Sequence, residues 1–113
     1  MRYGHVQSGD PINLQSLREE LDVDTSYALV KTDNMEVIRM ALPQGKSVEE
    51  HVLDSEISVQ CLQGEILFQI DGRASSLTHD DWLYLKKGQP YSYSVKSDAI
   101  VLITIVFGEQ QSS

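Results

Sequence analysis

The sequence predicts a single all-β domain, a small β-sandwich or barrel with a short N-terminal helix. Beyond that helix, apolar residues alternate with polar ones or form short apolar runs, the pattern of half-buried or fully buried strands. Turn-forming pairs and glycines divide these runs into about eight or nine short strands, as in small sandwiches and barrels. A chain of 113 residues is near the usual size of one domain with one core.

The helix is predicted from the segment SGDPINLQSLREEL. Asp10 is a suitable N-cap, and Pro11 fits the first helical position. Leu14, Leu17 and Leu21 fall on one face at helical spacing. The segment is therefore expected to pack that face against the β-structure.

The strands follow in order along the chain. TSYALVKT and MEVIRMAL are two strands joined at Asp33-Asn34, and VEEHVL and ISVQCLQ are two more. EILFQIDGRASSLT is a hairpin, because Asp71-Gly72 suits a two-residue turn with positive φ. DDWLYLKKGQPYSYSV supplies two strands around a Gly-Gln-Pro turn. The last strand, AIVLITIVF, is apolar on both faces and is expected to be covered on both sides.

Charge and composition exclude several function classes. Nine Lys and Arg against seventeen Asp and Glu give a net charge of −8, which opposes binding to nucleic acid or to an anionic membrane surface. One cysteine, Cys61, allows no intramolecular disulfide. The sequence shows neither a signal-peptide pattern nor an apolar run long enough to cross a bilayer, so the expected compartment is the cytoplasm.

Two stretches carry glycines and a histidine at a characteristic spacing. Five residues separate Gly45 from His51, and Gly64 closes the first stretch. The second stretch, DDWLYLKKGQPYSYSV, has an inward apolar pair followed by the Gly-Gln-Pro turn. In order and spacing, the two stretches resemble the two motifs of the cupin family, over roughly residues 35–107.

The resemblance implies a small cupin-type β-barrel, or jelly-roll sandwich, as a single domain over residues 1–113. The N-terminal helix and first strand would occupy residues 1–34, the conserved barrel 35–107, and a polar tail 108–113.

The resemblance also implies where a metal would be held, and the residues there do not suit one. Family members usually bind a metal through three histidines and a glutamate. By position, His51 is the first of these ligands, and the others are replaced by Leu53, Ile57 and Tyr91. A divalent metal site needs at least three converging N, O or S donors. We therefore expect neither a metal nor another cofactor.

Strand alternation predicts a mostly apolar pocket inside the barrel. Inward-facing residues would carry a few polar groups, namely an imidazole, two tyrosine hydroxyls and a thiol. Such a lining suits a small, largely apolar or aromatic molecule, and the leading hypothesis is a binding module rather than an enzyme. The predicted lining is His51, Leu53, Ile57, Val59, Cys61, Phe68, Tyr91 and Tyr93.

Three alternatives stay open at this point, and no catalytic residue is assigned. In the first, an isomerase-like or lyase-like enzyme uses His51 as base and Tyr91 as hydrogen-bond donor. In the second, a rearranged set of His51, Glu49 and Glu56 holds a metal, as a dioxygenase-like activity would require. In the third, the barrel is filled and function resides in protein contacts. A hydrogen bond between His51 and Tyr91 would explain both residues without catalysis.

The outer face of one sheet predicts self-association. Trp82 and Tyr84 should point away from the barrel interior, and the last strand is apolar on both sides. An apolar outer sheet face is normally covered by another copy of the chain. The expected partners are thus a second copy and a small molecule.

Overall fold

The computed structural model describes residues 6–19 and 25–107. Within these ranges the chain forms one short helix and seven antiparallel strands, which confirms the all-β class with an N-terminal helix. The elements are α1 (Leu14–Arg18), β1 (Tyr27–Lys31), β2 (Met35–Leu42), β3 (Ser47–His51), β4 (Glu56–Ile70), β5 (Arg73–Leu77), β6 (Trp82–Leu85) and β7 (Tyr91–Val106).

Two long strands, β4 and β7, pair with each other and connect the two layers of the sandwich. We call the first sheet the layer made by β1, β2, the second half of β7, the first half of β4, and β6. The second sheet comprises β3, the first half of β7, the second half of β4, and β5. The predicted strand count was too high because ISVQCLQ continues into EILFQI as β4, and YSYSV continues into AIVLITIV as β7.

Gly64 lies where β4 crosses from one sheet to the other. The β4–β7 register is irregular between Cys61 and Ile66, as expected where a strand bends. Gly64 has φ +86°, and a Cβ placed there would lie 2.2 Å from the carbonyl oxygen of Asp98 and 2.7 Å from Cα of Ala99. The bend therefore needs a residue without a side chain, for conformation and for space.

Two predicted turns are confirmed. Thr32 closes the β1–β2 hairpin, because its hydroxyl oxygen accepts the backbone N–H groups of Asn34 and Met35 at 3.1 Å each. Asp71 and Gly72 join β4 to β5 with φ of 52° and 78°, the left-handed pair that a two-residue hairpin turn requires.

The helix is shorter than predicted and has a different cap. Asn13, in an extended conformation, accepts the N–H of Gln15 at 2.8 Å, so the helix begins at Leu14 and Asp10 is not the cap. Leu17 is buried as predicted, and Leu21 lies outside the described residues.

The N-terminal segment covers part of the outer face of the first sheet. Leu17 packs there with Leu29, Leu62 and Ile100 in a second apolar cluster, separate from the core between the sheets. Beneath this cover lies Arg39, which is fully buried. The last strand is therefore buried on both faces around residues 99–101, with Ile100 on the outside and Val101 in the core, whereas Val106 near its end is exposed.

Arg39 fixes this segment to the barrel. Its Nε donates to the carbonyl of Leu17 at 3.1 Å, its Nη1 donates to the carbonyl of Thr25 at 2.7 Å, and its guanidinium lies 5.7 Å from the ring centre of Tyr27. Arg18 on α1 adds a bond from its Nε to the carbonyl of Leu62 at 2.6 Å. In the part of the chain that the structure describes, no helix is long and apolar enough to cross a membrane.

Candidate functional site

The barrel interior contains a narrow cleft between the two sheets. Its volume is about 30 Å³, room for one or two water molecules. The wall is apolar except for two tyrosine hydroxyls. The cleft is lined by Leu42, Ile57, Val59, Ile66, Phe68, Tyr91, Tyr93, Val101 and Ile103.

Five of the eight predicted pocket residues line this cleft, and three do not. Cys61 is fully buried in the core, and its thiol donates weakly to the carbonyl oxygens of Gln63 and Gly64 at 3.4 and 3.5 Å. Leu53 packs on the core from the loop after β3. His51 is exposed at the end of β3. The thiol and the imidazole therefore contribute nothing to the cleft.

The predicted hydrogen bond between His51 and Tyr91 is absent; the two rings contact each other edge to face, with centroids 5.7 Å apart. The reason is the strand register, which places His51 directly opposite Tyr91 on neighbouring strands. Side chains of two directly opposite residues leave the sheet on the same face and lie next to each other, and here the two rings pack edge to face.

An irregularity in β3 changes which residues of that strand face inward. The register shifts between Val48, opposite Tyr93, and His51, opposite Tyr91. Val48 and His51 therefore share a face, whereas strict alternation predicted Glu49 on the side of His51. Glu49 is exposed.

Three aromatic rings form a chain along one wall of the cleft. The ring centroid of Phe68 lies 6.1 Å from that of Tyr91 and 5.4 Å from that of Tyr93. Neither tyrosine hydroxyl makes a hydrogen bond to any other described residue. Burial raises the pKa of Tyr91, with a smaller contribution from Tyr93, and burial also raises the pKa of Tyr93. Both hydroxyls are thus neutral at physiological pH, able to donate and to accept.

These shifts predict a loss of stability at alkaline pH. The Tyr91 and Tyr93 pKa values lie above their ordinary 10.0, and burial likewise raises that of Cys61 above its ordinary 9.0. The folded state holds these protons more tightly than the unfolded chain. The stabilisation is therefore complete below about pH 9 and is lost as the pH rises through the folded-state pKa values.

Urea denaturation at a series of pH values measures this decline. We expect the double variant Tyr91→Phe with Tyr93→Phe to lose less unfolding free energy above pH 10 than the wild type. Cys61→Ala should reduce the portion of the loss that starts near pH 9. A decline of equal size in all three proteins would contradict the assignment.

The rearranged metal set is not assembled. Glu56 lies on the outer face of the first sheet, where its carboxylate accepts the hydroxyl of Tyr84 at 2.7 Å. Glu49 and His51 lie on β3, in the second sheet. Across residues 6–19 and 25–107, no three His, Cys, Asp or Glu side chains lie close enough together to hold a metal ion. This set of residues is therefore wrong as a metal site.

Solved structures show the fold. A protein of unknown function from Streptococcus pyogenes matches with a TM-score of 0.74 at 18% identity, over 96% of each chain. A cupin superfamily protein from Desulfitobacterium hafniense matches with a TM-score of 0.74 at 22% identity, over 94% of this chain and 98% of that one. The chain has the cupin fold.

A third cupin-fold match is part of a regulator. The Cupin_2 domain of an XRE family transcriptional regulator from Enterobacter cloacae gives a TM-score of 0.66 at 18% identity, over 75% of this chain and 97% of that domain. No protein-family model matches the sequence, and no curated protein matches it either. The resemblance read from the motifs is thus confirmed for the fold, and the cupin fold hosts many unrelated activities.

Part of the lining of this cleft was not predicted from the sequence. Leu42, Val101 and Ile103 line it from the first sheet. Val101 and Ile103 lie on one face of the last strand. Because that strand is apolar on both faces, its sequence does not show which face points inward. Arg39 was missed because nothing in MEVIRMAL indicates that its arginine is covered.

Proposed function

We propose that this cupin-fold protein is a binding module for a small, largely apolar or aromatic molecule that carries a hydrogen-bonding group. The site is the cleft between Tyr91 and Tyr93. What supports this is the pair of hydroxyls on an otherwise apolar wall, neither of them bonded to another described residue. Neither hydroxyl is fully buried, so water can reach both, and a ligand hydroxyl, amide or carbonyl would replace that water as their partner.

The small volume of the cleft either limits the size of the ligand or requires side chains of the wall to move. A volume of about 30 Å³ is well below that of a cavity that admits benzene, about 150 Å³. A ligand of a few heavy atoms fits after modest side-chain shifts. An aromatic ligand requires one ring of the wall to turn outward, and Tyr93, which is partly exposed, has more room to do so than the buried Phe68.

A thermal-shift screen of small apolar alcohols, amides and phenols tests the proposal. A compound that binds only the folded state raises the melting temperature. Tyr91→Phe with Tyr93→Phe should weaken its binding about thirtyfold, because each of the two lost hydrogen bonds contributes roughly 1 kcal/mol. Tyr84→Phe is the matched control, since its hydroxyl lies on the outer face with Glu56.

Two results would contradict this proposal. One is that no compound in the screen shifts the melting temperature. The other is that Tyr84→Phe weakens binding as much as the double variant does.

The nearly filled interior supports a second candidate function, in which the barrel is a scaffold and the outer surface mediates protein contacts. Trp82 and Tyr84 are 62% and 49% exposed on the outer face of β6, and Val106 and Phe107 are 43% and 38% exposed. A fully buried aromatic side chain contributes about 150–250 Å², and these side chains are already partly buried, so the patch would supply only part of the roughly 800 Å² per partner in a typical interface. We propose a second copy of the chain as the occupant.

Sedimentation or light scattering measures the oligomeric state. Wild-type protein should show twice the chain mass, and Trp82→Ser should shift it toward the mass of one chain, because a large exposed aromatic anchor is lost. Val52→Ser, a change at another exposed apolar residue (52%), is the control and should leave the mass unchanged. A monomeric wild-type protein, or equal effects of both changes, would contradict the dimer.

A further inference from the structure

A groove runs between the edges of the two sheets, away from the cleft. Both β5 and β6 pair with β4, β5 along residues 66–70 and β6 along residues 57–60, and a gap lies between these two edge strands at their ends away from the bend of β4. The groove in this gap has a volume of about 300 Å³, within the range of small-molecule sites. It shares no lining residue with the cleft.

The groove has apolar side chains on one part of its wall and cations on another. Ile70, Leu83 and Leu85 line it and also pack against the main core, so the apolar part of the wall is held in place by the barrel. Arg73 at the start of β5 and Lys86 just after β6 supply the cations.

These two cations have no carboxylate partner among the described residues. Arg18, Lys31 and Lys87 each pair with a carboxylate, those of Asp80, Glu36 and Asp54 respectively. Neither Arg73 nor Lys86 forms an ion pair with any described residue. Lys46 and Lys96 also lack an ion pair with any described residue, but neither lines this groove. What distinguishes Arg73 and Lys86 is that both border the same groove.

The carboxylates near the groove leave it with a net positive charge. Asp71 lines the groove and accepts a hydrogen bond from the amide of Gln89 at 3.3 Å. Glu56 is bonded to the hydroxyl of Tyr84 on the outer face. Two cations against the one lining carboxylate give a single excess positive charge. One carboxylate on a ligand would balance it.

We infer that this groove binds a small organic anion with one carboxylate and an apolar body. The carboxylate would lie between Arg73 and Lys86, and the apolar body would lie against Ile70 and Leu83, which are only partly buried. Arg73 can offer two parallel N–H donors to a carboxylate, and Lys86 adds a second positive charge. This site is independent of the cleft, so either can be disproved without the other.

Titration of ¹⁵N-labelled protein with phenylacetate, hexanoate and indole-3-acetate at millimolar concentration tests the inference. We expect shifts of the backbone signals of Arg73, Ser75, Leu83 and Lys86 with at least one of these carboxylates. The neutral analogue of that compound, 2-phenylethanol, hexanol or tryptophol, should bind about tenfold more weakly, because the charge contribution is lost.

Variants separate this site from general electrostatic attraction. Arg73→Gln with Lys86→Gln should weaken carboxylate binding about tenfold. The control is Lys46→Gln with Lys96→Gln. It removes two other exposed cations that form no ion pair with any described residue, and it should leave the affinity unchanged. All four substitutions are at exposed positions, so the fold should persist, which the melting temperature verifies.

Several outcomes would overturn the inference. These are no binding by any of the three carboxylates, equal weakening by both double variants, or signal shifts centred on Tyr91 and Tyr93 instead of the groove. Binding of a hexaglutamate peptide in the groove without binding of the small carboxylates would also overturn it, since the occupant would then be an acidic protein segment.

Discussion

Replacing Gly64 with alanine should destabilise the protein by about 3–5 kcal/mol, because two costs add at this position. The left-handed φ of +86° is unfavourable for alanine, and the new Cβ would lie 2.2 Å from the carbonyl oxygen of Asp98. That atom belongs to the backbone of β7, so β4 and β7 would have to separate where both strands pass between the sheets. Urea denaturation measures the change in the free energy of unfolding.

Gly45→Ala is the matched control. Gly45 has a similar φ of +92°, but a Cβ there would have no atom within 4 Å. This change carries the conformational cost alone, about 1–2 kcal/mol. If Gly64→Ala were no more destabilising than Gly45→Ala, close packing against β7 would not be what requires glycine. The two substitutions thus separate conformation from space.

Replacing Arg39 with methionine should cost about 2–4 kcal/mol and loosen the N-terminal segment. Methionine keeps much of the volume but removes the donors to the carbonyls of Leu17 and Thr25, which lie 3.1 and 2.7 Å from the guanidinium nitrogens. Each carbonyl left buried without a donor costs roughly 1–3 kcal/mol. Faster amide hydrogen exchange at residues 6–19 would show the loosening, since local opening there becomes easier.

Arg73→Met is the control for Arg39→Met. Arg73 is exposed, so its replacement should change stability by no more than about 0.5 kcal/mol. An Arg39→Met protein with wild-type stability and exchange rates would mean that neither carbonyl depends on the guanidinium. In that case the apolar contacts of Leu17 would by themselves hold the segment.

The sequence predicted the fold better than it predicted the candidate site. Alternation identified the inward positions of Ile57, Phe68, Tyr91 and Tyr93, because strand periodicity is a local property. It failed at Glu49, where a register shift in β3 interrupts the period. It also could not give the volume between the inward side chains, and so it predicted a pocket where the structure has a cleft of about 30 Å³.

The cupin motifs had two different outcomes. The spacing of Gly45, His51 and Gly64 correctly indicated the fold. In this chain, however, close packing explains why residue 64 is a glycine, since a Cβ there would collide with the backbone of β7. His51 lies outside the cleft and makes an edge contact with Tyr91.

The sequence by itself determined the all-β class, the hairpin turns, the N-terminal helix and the inward face of the central strands. Each of these follows from neighbouring residues, through strand periodicity or turn conformation. Only the tertiary structure decided that Gly64 meets Asp98, that Leu17 covers Arg39, and that the β5 and β6 edges leave a groove between them. Those features depend on how closely distant segments approach, which local patterns do not encode.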